Sequence, residues 1–164
     1  MWIEISTKSR RRIQGFTLLE VLLALLISSI LLSLCLRLLT DQWRGAQEIK
    51  DRLEIQYALL TSGETVSNAI RSAQTIQWTN PGVLKILPWP DTGYYTYDLY
   101  YIADKEHDGI PDLYCEHQNV PNPVASRITA LICTEVEPGL WQVTVQASLN
   151  RQQATWQSLI RQRI

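Results

Sequence analysis

The segment RRRIQGFTLLEVLLALLISSILL, Arg10 to Leu32, decides how the chain begins to fold. From Phe16 to Leu39 only Glu20 and Arg37 carry charge. About 24 apolar residues are enough for one helix to cross a bilayer at 1.5 Å rise per residue. A cleaved secretory signal would have a shorter apolar core followed by small residues, and here the core runs on into LCLRLLTDQW. A plain single-pass anchor fits the basic cluster Lys8, Arg10, Arg11 and Arg12, which stays cytoplasmic and sends the rest of the chain outward. It leaves Glu20 without a purpose, since a carboxylate at mid-membrane costs about 2.5–3.5 kcal/mol.

Outside this segment the composition changes. The chain has 164 residues, enough for one domain with an appendage, and a formal net charge of −1. Most of the positive charge at the start lies in residues 8–12, and the remainder of the chain is net acidic. With no basic patch beyond the first dozen residues, the composition argues against nucleic acid as a partner of the body of the chain.

GFTLLEVLLALLI resembles the type III signal of type IV pilins and type II secretion pseudopilins. In that family a short basic leader ends in Gly, a membrane aspartyl protease cuts after it, and the new N-terminus is N-methylated. The resemblance covers about the first 40 residues. It implies a leader over 1–15, cleavage between Gly15 and Phe16, methylation at Phe16, and an assembly role for Glu20. Cleavage would free an α-amino group at Phe16, and the Glu20 carboxylate of one subunit would meet that cation on a neighbour. In a low-dielectric core such attraction is far stronger than in water, and an unpaired charge is heavily penalised. Glu20 would thereby set the axial stagger between subunits.

After Arg37 the residues Trp43, Ala46, Ile49, Leu53, Tyr57 and Leu60 recur at steps of three and four, with charges on most other faces. This predicts an amphipathic helix with that stripe against a core, continuous with the membrane segment and ending near Ser62 at Gly63. From Phe16 it would be ~70 Å long. ETVSNAIRSA predicts a second short helix with Val66, Ala69, Ile70 and Ala73 on one side. Beyond Gln74 the period changes: TIQWT, GVLKILPW, YYTYDLYYIA, DLYCEH, RITALICTEV, LWQVTVQASLN and ATWQSLIRQ read as strands. Turns are expected at Thr79–Gly82 and Pro138–Trp141, and the tyrosines at 94, 95, 97, 100 and 101 read as the two faces of one strand. The expectation is an α+β, pilin-like fold, a long N-terminal helix packed on a mostly antiparallel β-sheet head. Its parts are 1–15 leader, 16–39 transmembrane and assembly helix, 40–73 amphipathic helix, and 74–164 head. The order of DLYYIAD and DGIPDLYCEH before a final pair of strands resembles the minor-subunit group of PilW, pseudopilin J and ComGF.

Cys35 lies in the apolar stretch and reads as a small packing residue. Cys115 and Cys133 lie in the head, where an oxidising compartment permits a disulfide worth about 3 kcal/mol; the alternative is two buried thiols. No Cys/His spacing suggests zinc. DKEHDGIPD approximates an oxygen-rich cation loop in which Asp104, Glu106, Asp108 and Asp112 would hold Ca2+, and DGIPD resembles the calcium loops of thrombospondin type 3 repeats. Glu106 is long for its position and no Glu stands twelfth, so a polar turn is the alternative. His107 and His117 lie near this loop with no nucleophile motif beside them, and no glycine-rich phosphate loop is present, which argues against an enzyme.

The resemblance therefore implies a minor pilin or pseudopilin, a structural subunit of a type IV pilus or type II secretion-like filament. Its partners would be other pilins, the prepilin peptidase, an inner-membrane assembly platform, and lipid before assembly. It would sit in the cytoplasmic membrane with its head outside, and then in a pilus or pseudopilus. A single-pass anchored, calcium-dependent binding domain that never assembles is the alternative.

Overall fold

A computed structural model describes residues 17–79, 82–89, 96–150 and 152–163. Helix α1 (Leu18–Arg71) is followed by β1 (Ala73–Thr79), β2 (Val83–Pro88), β3 (Asp98–Ala103), β4 (Asp112–His117), β5 (Val120–Ser126), β6 (Ile128–Glu137), β7 (Leu140–Leu149) and β8 (Gln152–Arg161). The fold is α+β, with a long N-terminal apolar helix and antiparallel sheets. The chain divides into two compact units, Met1–Gly45 and Ala46–Ile164.

In the first unit residues 18–44 are helical and exposed, and they include the apolar run from Leu18 to Leu39. An 18-residue window of this helix has mean hydropathy 2.5 and no buried share, so by length and composition it can cross a membrane. Thr17 caps the helix, its Oγ1 accepting from the Glu20 amide at 3.3 Å. Thr-Leu-Leu-Glu is thus half of a capping box, and Glu20 sits in the first turn, where the helix dipole favours a carboxylate.

The second unit holds the core. Strands β1 to β5 form one antiparallel sheet in sequence order, and β6, β7 and β8 form another. The consecutive order follows from short hairpins: Gly82 takes φ +74° before β2, and Gly139 takes φ +74° at the tight turn where Glu137 faces Leu140. Those glycines occupy the left-handed region that other residues enter at a cost. Asn80 and Pro81 of the first expected turn lie outside the described residues, as do Tyr94 and Tyr95. Of the remaining tyrosines, Tyr100 is buried on β3 and Tyr101 half-buried. The last sheet is the most regular, with β7 and β8 paired through ten consecutive positions from Leu140↔Arg161 to Leu149↔Gln152.

The helix departs from expectation twice. It does not break at Gly63 but runs through it to Arg71, absorbing the second helix. Gly63 serves a different end: a Cβ built there would stand 2.6 Å from Cε2 of Trp156 on β8. The missing side chain is the notch that lets an indole lie against the helix. The core-facing side is also not the expected stripe. Ile55, Ala58, Leu59, Ser62, Gly63, Val66, Ser67 and Ile70 are buried, while Ile49, Leu53, Tyr57 and Leu60 point outward, Tyr57 at 74 % exposure. At 100° per residue the centres of the two sets lie about 125° apart, and both recur at steps of three and four. The sheets take the side carrying Ala58, Ser62, Gly63 and Ser67, because small residues let a strand approach closely.

Strand β5 has no counterpart among the expected strands. Its sequence VPNPVAS has Pro121 and Pro123, which lack the N–H a ladder needs. It pairs only with β4, at the edge of its sheet, and prolines are tolerated there when the missing N–H would face away from the partner.

Ser62 is fully buried, and among the described residues its Oγ has no hydrogen-bond partner. A buried unsatisfied hydroxyl costs about 1–3 kcal/mol, and alanine is the better helix former. Ser62→Ala is expected to raise stability by about 1 kcal/mol, read as a melting temperature a few degrees higher. A lower melting temperature would show that the hydroxyl is used.

Candidate functional site

The residues that would be processed, Gly15 and Phe16, lie outside the described residues, as does the leader 1–15. Glu20 is described: it is exposed on the first turn of α1, two residues after the helix begins, with Leu18, Leu19, Val21, Leu22 and Leu23 exposed around it. Its amide is held by Thr17, through the carbonyl at 3.1 Å as well as the hydroxyl. Among the described residues its carboxylate has no ion-pair partner. A carboxylate carried on an apolar helix surface is costly in lipid unless it is paired.

The acidic loop between β3 and β4 is built on its own amides. Asp104 accepts from Asp108 N at 3.2 Å and from Gly109 N at 2.9 Å, and Asp108 Oδ1 accepts from Ile110 N at 2.9 Å. Side-chain-to-backbone bonds of this kind stabilise turns. His107 and Gly109 take positive φ, which lets the chain double back. Asp112, the first residue of β4 and only 9 % exposed, turns away from the loop and accepts from Arg127 N at 3.3 Å. Glu106 is exposed. Among the described residues no group of three or more His, Cys, Asp or Glu side chains is disposed to hold a metal ion. The four carboxylates of the sequence pattern are thus divided between turn capping, the Arg127 contact and solvent.

Lys105 folds back over the sheet, its Nζ 2.6 Å from Tyr101 Oη and 5.1 and 4.8 Å from the Tyr101 and Tyr114 ring centres. Cation–π attraction adds to the hydrogen bond. Tyr101 in turn donates to Glu116 at 2.7 Å. His117 Nδ1 meets Asp98 Oδ1 at 2.5 Å across β3 and β4, half exposed and with no nucleophile joined to it. Arg127, held at φ +66° between β5 and β6, sends its Nε to Glu54 of α1 at 2.6 Å. That ion pair and the Asp112 contact fix the link between the sheets to the helix.

The sequence leaves a disulfide and two buried thiols open for Cys115 and Cys133. Cys115 and Cys133 are both free thiols, Cys115 on β4 of the first sheet and Cys133 on β6 of the second. Each is used as an apolar packing group: Cys133 is buried, and Cys115 packs against the same core beside Tyr100. Burial pushes the Cys133 thiol up to about 12. It also raises Cys115, and burial with the Cys115 hydrogen bond raises Tyr100. An acid whose native value is raised holds its proton longer in the fold than in the open chain. Its contribution is complete below the ordinary thiol value near 9 and is lost as pH climbs toward 12. Stability is expected to fall with a slope of roughly 1.4 kcal/mol per pH unit from Cys133 over that window. Denaturation at pH 8 to 11 reads it, and Cys133→Ala should flatten the slope. An unchanged slope in that variant would contradict the assignment.

With the helix and its exposed carboxylate in place, the comparison with known families is decisive at one end of the chain. Residues 10–36 match the prokaryotic N-terminal methylation motif. The methylation motif spans Arg10–Arg12, Gly15, Phe16, Glu20 and most of the apolar run that ends at Leu39, so the N-terminal segment is similar to that of prepilin-type chains, which are processed and methylated there. No curated protein and no solved structure matches the chain.

Sequence reasoning missed the Thr17 cap, although Thr-x-x-Glu before an apolar run is its signature. It also missed Arg127, whose partners on α1 and β4 are distant in sequence.

Proposed function

We propose that the chain is a minor pilin or pseudopilin, a non-catalytic subunit of a type IV pilus or type II secretion-like filament. The observation that carries this reading is the methylation motif placed on a helix that is apolar, exposed and continuous in secondary structure to Arg71 of an α+β head. The subunit is cut after Gly15 by a prepilin peptidase, methylated at Phe16, and held in the cytoplasmic membrane by the Leu18–Leu39 segment. It then joins other pilins through that helix with the help of an inner-membrane platform protein. Glu20 supplies the carboxylate that meets the α-amino group of a neighbouring subunit. The minor-subunit assignment rests on the resemblance of the DLYYIAD and DGIPDLYCEH stretches to PilW and pseudopilin J. No metal is required by this reading, because the head is held by an apolar core and by the Glu54–Arg127–Asp112 contacts.

The experiment is incorporation. An epitope-tagged chain, expressed in cells with a working pilus or secretion filament, is expected in the sheared-filament fraction at far below the amount of the major subunit. The Gly15→Ala variant is expected to remain in the membrane fraction. Recovery of the tagged wild-type chain from membranes alone, in cells that shed normal filaments, would remove the reading.

A further inference from the structure

Of the seven glycines in the chain, Gly109 alone follows an aspartate, and none follows an asparagine. Among aspartates, one followed by glycine is the most prone to succinimide closure, because no side chain shields the next amide nitrogen and the glycine backbone turns freely. The pair falls in DKEHDGIPD, the acidic loop between β3 and β4. Residues 104 to 109 are all exposed and lie outside any strand. A Cβ built on Gly109 meets nothing within 4 Å, so no neighbour packs this turn in place. Segments of this kind open at low cost, and the chemistry of their backbone follows the open population.

Two carboxylates hold the turn shut. Asp104 Oδ1 accepts from Asp108 N at 3.2 Å, and its Oδ2 accepts from Gly109 N at 2.9 Å. Consecutive amides are thereby pinned to one side chain, with His107 and Gly109 at φ +59° and +79° on either side of Asp108. Asp108 Oδ1 is engaged as well, accepting from Ile110 N at 2.9 Å. Closure requires the Asp108 carboxyl carbon to stand over the Gly109 nitrogen in a near-attack arrangement. In the folded loop the hydrogen of that nitrogen is directed at Asp104 and the carboxyl at Ile110. Both reacting groups are occupied elsewhere.

We propose that Asp108–Gly109 is a site of isoaspartate formation and that Asp104 holds it in an unreactive geometry. In the reaction the Gly109 nitrogen bonds to the Asp108 side-chain carboxyl carbon, and the carboxyl hydroxyl leaves with the amide hydrogen as water. Water then adds at the backbone carbonyl of the ring and breaks its C–N bond, so the chain runs on through the side-chain carboxyl carbon. The product has the mass of the starting chain and one more carbon in its backbone. That extra length falls shortly before Asp112, whose carboxylate accepts from Arg127 N. The site is independent of processing at Gly15 and of filament assembly.

The test incubates the full chain in detergent micelles at neutral pH, below its melting temperature. Isoaspartate at residue 108 is measured by peptide mapping and by methyl transfer from a labelled donor with an isoaspartyl methyltransferase. Wild type in urea gives the rate of the open chain. Folded wild type is expected to react about ten-fold more slowly, the scale of hydrogen bonds to a charged acceptor. Folded Asp104→Ala should approach the urea rate, and Asp104→Asn, which keeps one acceptor oxygen, should fall between. Asp108→Glu, which needs a six-membered ring, should give no signal. Hydrogen exchange identifies a folded variant: protection is lost at the Gly109 amide and kept at Val143, which is fully buried. Where Asp104→Ala loses both, Asp104→Asn is read in its place. Equal rates in folded wild type and the folded variant would overturn the proposal. So would a slower rate in the variant, the sign that the Asp104 carboxylate takes the amide proton, or no isoaspartate at residue 108 of the variant when the urea sample forms it.

Discussion

Gly63→Leu is expected to destabilise the head by about 3 kcal/mol or more, the upper range of overpacking in a filled core. Three atoms of the Trp156 indole lie within 2.9 Å of where the first added carbon would stand. They belong to a rigid ring, so no terminal rotation clears the space. Nor can the strand retreat as a unit, since β8 is joined to β7 over its whole length. The loss is a large share of the roughly 5–15 kcal/mol that holds an ordinary domain together. Gly63→Ala makes the cause explicit, because two effects of opposite sign meet in it. Alanine favours the helix by about 1 kcal/mol over glycine, and the clash outweighs that gain. With Trp156→Ala as background the clash is gone and Gly63→Ala should become stabilising. Urea denaturation of the four proteins reads the sign change as a coupling between contacting residues. A substitution that destabilises equally in both backgrounds would mean that Gly63 is kept for its backbone freedom and not for the indole.

Glu20→Ala should insert into the membrane normally and enter filaments at least about ten-fold less than wild type. Removing the carboxylate makes insertion easier, by the few kcal/mol that a charge costs in a membrane. In a filament the same change leaves a neighbour's Phe16 ammonium without its partner, and breaking a buried pair from one side costs about 3–5 kcal/mol. The Thr17 hydroxyl bond goes to the Glu20 backbone amide and survives the substitution, so helix capping does not account for a loss. Quantifying the tagged variant in membrane and sheared-filament fractions separates the two steps. Wild-type incorporation of Glu20→Ala would show that the carboxylate does not set the register.

The range of each interaction decides whether the sequence discloses it. The membrane-length helix and the strands with alternating or β-branched runs are local patterns, and they stand where LLEVLLALLI, DLYCEH and LWQVTVQASL predict them. The choice between the two apolar sides of α1 is not local. Leu53, Tyr57 and Leu60 satisfy the helical period as well as Ile55, Leu59, Ser62 and Val66 do. Only the approach of Trp156, more than ninety residues on, selects the side with Gly63. The same holds for β5, where prolines masked an edge strand that β4 supplies with a partner. Sequence separation between Cys115 and Cys133 permits a bond, but their assignment to different sheets and to packing roles is a tertiary fact. At the candidate site, Glu20 was legible because its carboxylate contradicts its neighbours.

The measurement closest to the central claim is the N-terminal chemistry of the chain purified after co-expression with an active prepilin peptidase. The prediction is a mature protein that begins at N-methylated Phe16, seen by intact mass and N-terminal sequencing, and a Gly15→Ala variant that keeps its leader. A wild-type chain that still carries residues 1–15, in cells where a control prepilin is fully cleaved, would contradict it.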